Sequence, residues 1–236
     1  MSRLKGVLTD PLLSVVMPVY NERETIEEII PRVLAVPVRI ELIVVDDGSK
    51  DGTRDLLAKL KEQYNFRLIL QPQNGGKGAA IRRGFEDVSG DIVLIQDADL
   101  EYSPEEFPML AELIVEGRAD VVFGSRFLGR HRVFLFTHYA GNRLLTFITN
   151  VMYTTMLTDM ETCYKVMRTE VLRSMTLKSD RFGIEPEMTA KIFKRGYRVY
   201  EIPITYDGRG YDEGKKISWR DGVVALWVLL KYRFTE

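Results

Sequence analysis

The sequence predicts an α/β fold with a mostly parallel sheet flanked by helices, and three observations support this prediction. Apolar runs of strand length alternate with segments of helical apolar spacing, which is the pattern of βαβ units. The runs are almost wholly apolar, as expected of strands that are covered on both faces. Each run ends in a polar turn, and right-handed crossovers bring such turns to one edge of a sheet.

The predicted elements follow this order along the chain. In the first half, strands are expected at residues 12–20, 40–45, 66–70 and 92–96. Helical spacing follows the first three strands, at residues 26–33, from residue 51 and from residue 79. In the second half, strands are expected at residues 119–124 and 197–206, and helices at residues 144–157, from about residue 182, and at residues 217–234.

The fourth strand ends in the acidic sequence Asp97-Ala98-Asp99. Alternate residues of an extended chain point the same way, so both carboxylates face one side at the carboxyl end of the strand. Open α/β sheets bind ligands at that end. Two neighbouring carboxylates repel each other unless a cation lies between them, and Mg²⁺ or Mn²⁺ with substrate phosphates suits such a pair. The alternative is that the aspartates merely precede the helix start near Ser103.

Three other polar turns are expected beside this one, at Tyr20-Asn21-Glu22, at Asp46-Asp47-Gly48 and at residues 74–78. The glycine-rich turn Gly75-Gly76-Lys77-Gly78 has neither of the common phosphate-loop spacings. Alone it is as well explained by a flexible turn with a solvated lysine. Beside a carboxylate-held metal, Lys77 is expected to neutralise a diphosphate.

Composition excludes several classes of protein. The chain is 45% hydrophobic and 28% charged with a net charge of −1, so no bulk charge points to nucleic acid. One cysteine, Cys163, and two histidines, His131 and His138, exclude a disulfide framework and a Cys/His zinc site. The N-terminus lacks the apolar stretch of a secretory signal, and the apolar run at residues 223–230 is too short to span a bilayer. A cytoplasmic protein is therefore expected.

The four turns together resemble the family-two glycosyltransferases of the GT-A fold, with its mostly parallel Rossmann-like sheet. Within that family the sequence is most similar to the dolichyl-phosphate and other polyprenyl-phosphate sugar synthases. The resemblance lies in residues 16–22 (VMPVYNE), 44–53 (VVDDGSKDGT), 74–80 (NGGKGAA) and 96–101 (QDADLE). It covers the first half of the chain densely.

The resemblance implies the roles of several residues. A nucleotide pocket is implied at Pro18, Tyr20, Glu22, Asp46 and Asp47. Asp97, Asp99 and Glu101 are implied to bind a divalent metal and the donor diphosphate. Glu101 departs from the glutamine that is often found at its position, which puts the metal preference in doubt.

The second half carries the predicted acceptor side. Residues 117–143 mix arginines and histidines with aromatic residues, a pattern compatible with nucleic acid, with a solvated charged face, or with a phosphate-bearing acceptor that has an apolar tail. Beside a sugar-nucleotide site the third explanation fits best, with Arg126 in the family-like Gly124-Ser125-Arg126. Asp159 lies where the family has an Asp-Pro-Thr-Ser-Gly-Phe type of segment, but only the aspartate and the general spacing remain.

Further expectations concern the last quarter of the chain. Glu185 and Glu187 are equally well explained as site residues and as acids at a helix start. The glycine-rich and charged residues 207–216 are expected to close over a phosphate through Arg209 and one of Lys215 or Lys216. Residues 1–210 are predicted to form the catalytic domain, and residues 211–236 a loop and an amphipathic helix without a transmembrane segment. That helix, with Trp219 and Trp227, either packs on the core or lies on a membrane surface.

The predicted function is an inverting, metal-dependent transfer of a sugar from a GDP- or UDP-linked donor to a polyprenyl phosphate, by a protein in peripheral contact with the membrane. Inversion is implied by the resemblance alone. Two alternatives stay open: transfer to a sugar hydroxyl, with Asp159 as the candidate base, and a sugar-nucleotide-binding protein without chemistry. A nucleotidylyltransferase is disfavoured because the turn after the first strand, Tyr20 to Arg23, is not glycine-rich.

Overall fold

The computed structural model describes residues 6–133, 135–208 and 219–236, and it confirms the predicted α/β sheet. The strands are β1 (Leu13–Val19), β2 (Ile40–Asp46), β3 (Arg67–Leu70), β4 (Ile92–Ile95), β5 (Val121–Ser125), β6 (Lys165–Arg168) and β7 (Val199–Pro203). They form a seven-stranded sheet in the order β3-β2-β1-β4-β6-β5-β7. Every neighbouring pair is parallel except the two pairs that include β6.

Helices connect the strands and pack against the sheet. They are α1 (Ile26–Leu34), α2 (Thr53–Gln63), α3 (Lys77–Phe85), α4 (Phe107–Val115), α5 (Phe136–Tyr153), α6 (Thr169–Arg173), α7 (Ile184–Lys194) and α8 (Trp219–Phe234). Among these, α3 packs against β1 and β2, and α4 packs against β5. The two central strands β1 and β4 are buried almost along their whole length, which is why their sequences are nearly continuous apolar runs.

The register of the parallel strands places their carboxyl ends at one edge. Val19, the last residue of β1, pairs with Asp46, the last residue of β2, and Asp46 pairs in turn with Leu70, the last residue of β3. On the other side of β1, Val16 pairs with Ile95 at the end of β4. The polar turns that follow these four strands therefore lie side by side, as the sequence predicts.

Strand β6 was not predicted, because no strand is expected from the sequence between residues 124 and 197. Its four residues lie between β4 and β5 and run antiparallel to both. The strand is buried although it begins with Lys165, whose ammonium group donates to the carbonyl oxygens of Met160 at 2.8 Å and Thr162 at 2.6 Å. Those bonds satisfy the buried charge and hold the turn before β6 against the sheet.

Helices α5 and α8 differ from prediction in extent and in packing. Helix α5 begins at Phe136, eight residues before the expected start, because the mixed basic and aromatic sequence hides its apolar spacing; it ends before the left-handed Thr154. Helix α8 buries Ala225, Val228, Leu229 and Tyr232 against α5 and α7. The opposite side of α8 is apolar and exposed. One side of the helix therefore packs on the core, and the other side presents apolar residues at the surface. Among the described residues, no helix combines the length and hydropathy that a membrane crossing requires.

Candidate active site

A cavity of about 860 Å³ opens at the carboxyl ends of the parallel strands. Its polar half is lined by the turns that follow β1, β2, β3 and β4. Its other half extends between α5 and α8 and is largely apolar, with Leu144, Leu145, Ile148, Ala225 and Leu226 in its walls. The cavity is large enough for a nucleotide-sized ligand together with part of a second molecule.

The predicted nucleotide residues separate into two groups. Pro18, Tyr20, Glu22 and Asp47 line the cavity. Asp46 does not: its Oδ2 accepts hydrogen bonds from the amides of Gly48 at 3.1 Å and Ser49 at 3.2 Å and forms an ion pair with Arg54 at 2.5 Å. Asp46 therefore shapes the turn from behind, as adjacent residues of a strand end point to opposite sides.

Asp47 organises the glycine-rich turn. Its carboxylate accepts hydrogen bonds from the amide of Gly75 at 2.8 Å and the amide of Gly76 at 2.7 Å, and burial raises its pKa. The other side of this turn lies against the backbone of residues 179–181. A Cβ atom on Gly78 would lie 2.3 Å from the Ser179 carbonyl oxygen, so this close approach requires glycine. The glycines thus serve packing, and Lys77 is the residue that enters the site.

Lys77 connects two acidic residues on the cavity floor. Its ammonium nitrogen lies 2.9 Å from Asp97 Oδ1 and 2.8 Å from Glu185 Oε1. Burial lowers the pKa of Lys77, but the two carboxylates outweigh it and hold the pKa well above its ordinary value. A permanent positive charge therefore lies beside the predicted diphosphate position, and Glu185 is a wall of the site as well as a residue of the first turn of α7.

The residues predicted to bind metal are near one another but hold different partners. Asp97 pairs with Lys77, Asp99 Oδ1 accepts from the Glu101 amide at 3.2 Å, and Glu101 Oε2 accepts from the Tyr206 hydroxyl at 2.7 Å. Over residues 6–133, 135–208 and 219–236, no three acidic, histidine or cysteine side chains converge on one point. Mg²⁺ needs only one or two carboxylates when substrate phosphates complete its shell, and the oxygen ligands of Asp97 and Asp99 fit that requirement.

Arg126 is held at the cavity wall by a buried ion pair. Its Nε and Nη2 each lie 2.7 Å from one oxygen of Asp159, and its amide donates to the same carboxylate at 3.1 Å. Asp159 is completely buried and lies behind Arg126, while Arg126 lines the cavity. Burial lowers the pKa of Arg126, and the charge of Asp159 raises it. The net effect holds the pKa of Arg126 well above its ordinary value. Asp159 is therefore placed to orient Arg126.

The turn that carries Asp159 is itself anchored from β7. Glu201 accepts hydrogen bonds from the amides of Thr158 at 2.9 Å and Asp159 at 3.0 Å. Burial raises the pKa of Glu201 despite these bonds. Glu201, like Lys165, gives no functional signal in the sequence, because its contacts come from strands that are far apart in the chain.

Glu161 is a site residue that the sequence analysis did not identify. It lines the cavity, and burial together with the charge of Glu185 raises its pKa from 4.5 to about 7. One signal could have found it, since Asp159-Met160-Glu161 repeats the alternating acids of Asp97-Ala98-Asp99. Arg181, a second cavity residue that was not predicted, comes from the segment that packs on the glycine-rich turn and has no comparable signal.

The raised pKa predicts a pH-dependent stability. A carboxyl whose pKa is higher in the folded state than in the unfolded state binds its proton more tightly when folded, so stability falls as pH rises from about 4.5 to about 7. Glu161→Gln removes this penalty, which amounts to up to about 3 kcal/mol above that range. Its thermal unfolding midpoint should exceed that of the wild type at pH 8 and match it at pH 4.

The exposed Glu112 on α4 provides the control. Glu112→Gln should change the midpoint little at either pH. An equal gain for Glu161→Gln at pH 4 and pH 8 would show that ionisation of Glu161 is not the cause.

Some predicted residues lie elsewhere. Arg209, Lys215 and Lys216 lie outside the described residues, as does the expected domain boundary at residues 210–211. Of the basic and aromatic stretch, Arg126 and His138 line the cavity. Cys163 is a buried cavity-wall residue whose pKa is raised well above its ordinary value, chiefly by burial, which suits a packing role.

Comparison with solved structures identifies the fold. The chain superposes on glucosyl-3-phosphoglycerate synthase from Mycobacterium tuberculosis, in complex with Mn²⁺, UDP and phosphoglyceric acid, with a TM-score of 0.75. The match covers 95% of this chain and 79% of that chain at 22% sequence identity. At this identity the likeness shows the fold, and it confirms the GT-A fold that the sequence predicts.

Residues 14–176 match the family model Glycosyl transferase family 2. The chain is 31% identical over 215 residues to dolichol-phosphate mannosyltransferase from Pyrococcus furiosus, covering 86% of this chain and 58% of that protein. It is 30% identical over 213 residues to undecaprenyl-phosphate 4-deoxy-4-formamido-L-arabinose transferase from Edwardsiella ictaluri, covering 88% and 63% respectively. The chain belongs to glycosyl transferase family 2, and it spans less than two thirds of the length of these relatives.

Proposed function

We propose that this chain transfers a sugar, with inversion, from a GDP- or UDP-linked donor to a polyprenyl phosphate, and that it requires Mg²⁺ or Mn²⁺. The observation that carries the proposal is the two-part cavity. Acidic turns and Lys77 line one part of the cavity, apolar side chains of α5 and α8 line another, and Arg126 lines the same cavity. The acidic turns with Lys77 suit a metal-bound diphosphate, Arg126 suits a phosphate, and the apolar side chains suit a hydrocarbon chain. The names of the relatives from Pyrococcus furiosus and Edwardsiella ictaluri include lipid phosphates of this kind.

The residues present suit a single displacement. A phosphate monoester has its second pKa near 6, so the acceptor is already charged at neutral pH and needs a cation to position it more than a base to deprotonate it. Arg126, held in a fixed direction by Asp159, offers that cation. The acceptor oxygen forms a bond to the anomeric carbon from one face while the bond to the diphosphate breaks on the other, which inverts the centre.

Lys77 and Asp99 serve the departing group in this proposal. Lys77 remains protonated and lies at the edge of the predicted diphosphate position. Asp97 and Asp99 would hold a divalent cation, which would supply further stabilisation of the charge on the departing diphosphate.

The direct test is transfer from radiolabelled GDP-mannose and UDP-glucose to a short-chain polyprenyl phosphate in detergent, with Mn²⁺ and with a chelator. We expect label to enter the organic phase only with metal and only with the phosphorylated lipid. The corresponding free polyprenol and an alkyl glucoside serve as acceptor controls. Donor binding without any turnover or donor hydrolysis would instead support a sugar-nucleotide-binding protein.

Transfer to a sugar hydroxyl is the second candidate, and one observation favours it. A hydroxyl acceptor must lose its proton to a base, and the predicted base Asp159 is occupied by Arg126. Glu161, with a pKa raised to about 7, is the cavity carboxyl that could take the proton. Transfer to the alkyl glucoside, lost in Glu161→Gln, would support this candidate over the lipid phosphate.

Peripheral membrane contact is part of the proposal and rests on an apolar surface of α5 and α8. Phe136, Phe147 and Val151 are exposed on α5, and Trp227 and Leu230 are exposed on α8. The basic residues Lys231 and Arg233 lie in the last turn of α8. Apolar side chains beside basic ones are typical of helices that lie on anionic membranes, and the cavity opens between the same two helices.

We expect the protein to float with vesicles containing anionic phospholipid, and to do so less at high salt, because salt screens surface charge beyond about 10 Å. The double variant Phe147→Ser with Trp227→Ser should lower the partition coefficient at least tenfold, since each large apolar side chain contributes about 1.5–3 kcal/mol when buried. Met109→Ser, at an exposed apolar position on α4, is the matched control. Equal flotation of the two variants would contradict contact through α5 and α8.

A further inference from the structure

Two glutamates on the cavity floor have carboxyl oxygens without partners. Within the part of the chain that the structure describes, Glu161 Oε1 and Glu185 Oε2 are buried and make no hydrogen bond. Both residues line the cavity, and Glu185 is 4% exposed. Buried polar atoms of native proteins are nearly always paired, so two orphaned acceptors in the wall of one cavity point to a ligand that supplies donors.

The charge around these oxygens restricts the ligand. Two carboxyl groups repel an anion, and Asp97 adds a third acidic group that contacts Glu185 through Lys77. The cations nearby are already engaged: Lys77 pairs with Asp97 and Glu185, Arg126 pairs with Asp159, and the ammonium group of Lys165 donates to two backbone carbonyl oxygens. The ligand at Glu161 and Glu185 is therefore neutral and rich in hydroxyl donors, as a sugar ring is.

The position of the pair is also the position of the sugar in the proposed reaction. Glu185 is joined through Lys77 to Asp97, on the diphosphate side. Glu161 lies two residues beyond Asp159, which holds Arg126 on the acceptor side. The transferred sugar has to lie between the diphosphate and the acceptor phosphate, and the two glutamates lie between the residues that serve them.

We propose that Glu161, together with Glu185, binds the hydroxyl groups of the transferred sugar and selects neutral sugars over uronic acids. The inference rests on the donor half of the proposed function and is independent of the acceptor. Burial and the charge of Glu185 raise the pKa of Glu161 to about 7, against the opposing effect of the charges of Lys165 and Arg126. Near neutral pH the group therefore can accept from one sugar hydroxyl and, when protonated, donate to another oxygen.

Donor binding in the absence of acceptor tests this inference. Isothermal titration with Mn²⁺ would compare UDP-glucose with UDP, and GDP-mannose with GDP, for the wild type, Glu161→Gln and Glu161→Ala. The quantity of interest is the affinity ratio of sugar nucleotide to nucleotide. We expect Glu161→Ala to lower this ratio roughly 10- to 100-fold, as loss of a hydrogen bond to a charged group does, and to leave the affinity for the free nucleotide unchanged.

The specificity arm uses UDP-glucuronate. The wild type should bind UDP-glucuronate more weakly than UDP-glucose. Glu161→Gln should reduce this difference in affinity, because the substitution removes a negative charge. Glu106→Gln is the matched control, since Glu106 Oε2 is also buried without a partner but Glu106 does not line the cavity.

The outcomes separate the two proposals. Binding of sugar nucleotides with an unchanged affinity ratio in Glu161→Ala, or an equal loss in Glu106→Gln, would overturn the sugar contact while the proposed transferase stands. Another outcome is that Glu161→Gln loses transfer to the alkyl glucoside while its affinity ratio of sugar nucleotide to nucleotide stays unchanged. That result would assign Glu161 to proton transfer and would also overturn the sugar contact. Failure of the wild type to bind any of these nucleotides would overturn both proposals.

Discussion

Asp99→Ala is expected to reduce transfer by about a thousandfold while the chain stays folded, because a bound metal contributes several kcal/mol of charge stabilisation to the departing group. Asp99 lines the cavity beyond the end of β4, where its carboxylate and that of Asp97 fit a divalent cation. Asp97 is already shared with Lys77, so we expect Asp99 to be the more important ligand of the two. With one carboxylate removed, the remaining protein oxygens are too few to compete with water for the ion.

The measurement is transfer as a function of Mn²⁺ concentration, together with metal-dependent binding of UDP or GDP. Asp99→Asn should fail in the same way, although it keeps an oxygen for the hydrogen bond from the Glu101 amide. Asp91→Asn is the matched control: Asp91 precedes the same strand at its other end, and its carboxylate likewise accepts a backbone amide hydrogen bond, from Leu12 at 2.9 Å. Normal turnover of Asp99→Ala at wild-type metal concentrations would exclude Asp99 from the metal site.

Arg126→Lys is expected to slow transfer by on the order of 100-fold with little change in donor affinity. Lysine keeps the positive charge but cannot make two parallel bonds to Asp159, so the cation loses its fixed direction toward the acceptor. A misplacement of about 1 Å is enough for an effect of this size. Arg126→Ala should damage transfer still more, but it leaves the buried charge of Asp159 without its cation, which costs about 3–5 kcal/mol of stability. The lysine variant therefore gives the clearer result.

The chain contains a matched control for Arg126. Arg198 forms the same kind of pair with the buried Asp120, through Nε at 3.1 Å and Nη2 at 2.7 Å, and neither residue lines the cavity. Arg198→Lys should therefore lower stability in a comparable way and leave kcat unchanged. A similar loss of kcat in both variants would mean that stability, and not acceptor placement, explains the effect.

Asp159→Asn separates placement from proton transfer at the same site. Asparagine can still accept from Arg126 but no longer neutralises it, so activity should fall and remain measurable. A loss of several orders of magnitude, with fold and donor binding intact, would indicate base catalysis by Asp159. The acceptor would then be a hydroxyl, and the lipid phosphate proposal would fall.

The sequence by itself determined the parts of this protein that depend on local pattern. The apolar runs at β1, β2 and β4 are long and continuous, and polar turns follow each of them, so the parallel half of the sheet and the edge where its turns meet could be predicted. The pair Asp97 and Asp99 could be found because alternation in an extended chain is a local property. Arg126, which is predicted to serve the acceptor, was named from the family resemblance of Gly124-Ser125-Arg126 and lines the cavity.

Only the tertiary structure decided which charges meet. The antiparallel β6 is four residues long and begins with a lysine, so its place in the sheet depends on contacts with β4 and β5 that no local pattern encodes. That strand carries the preceding turn, with Glu161, into the cavity, where burial and the charge of Glu185 of α7 raise the pKa of Glu161 to about 7. Lys77 meets Glu185 across more than a hundred residues of chain for the same reason. Electrostatic energies depend on separation and burial in space, so the pairing of these groups was decided by the fold and not by their order in the sequence.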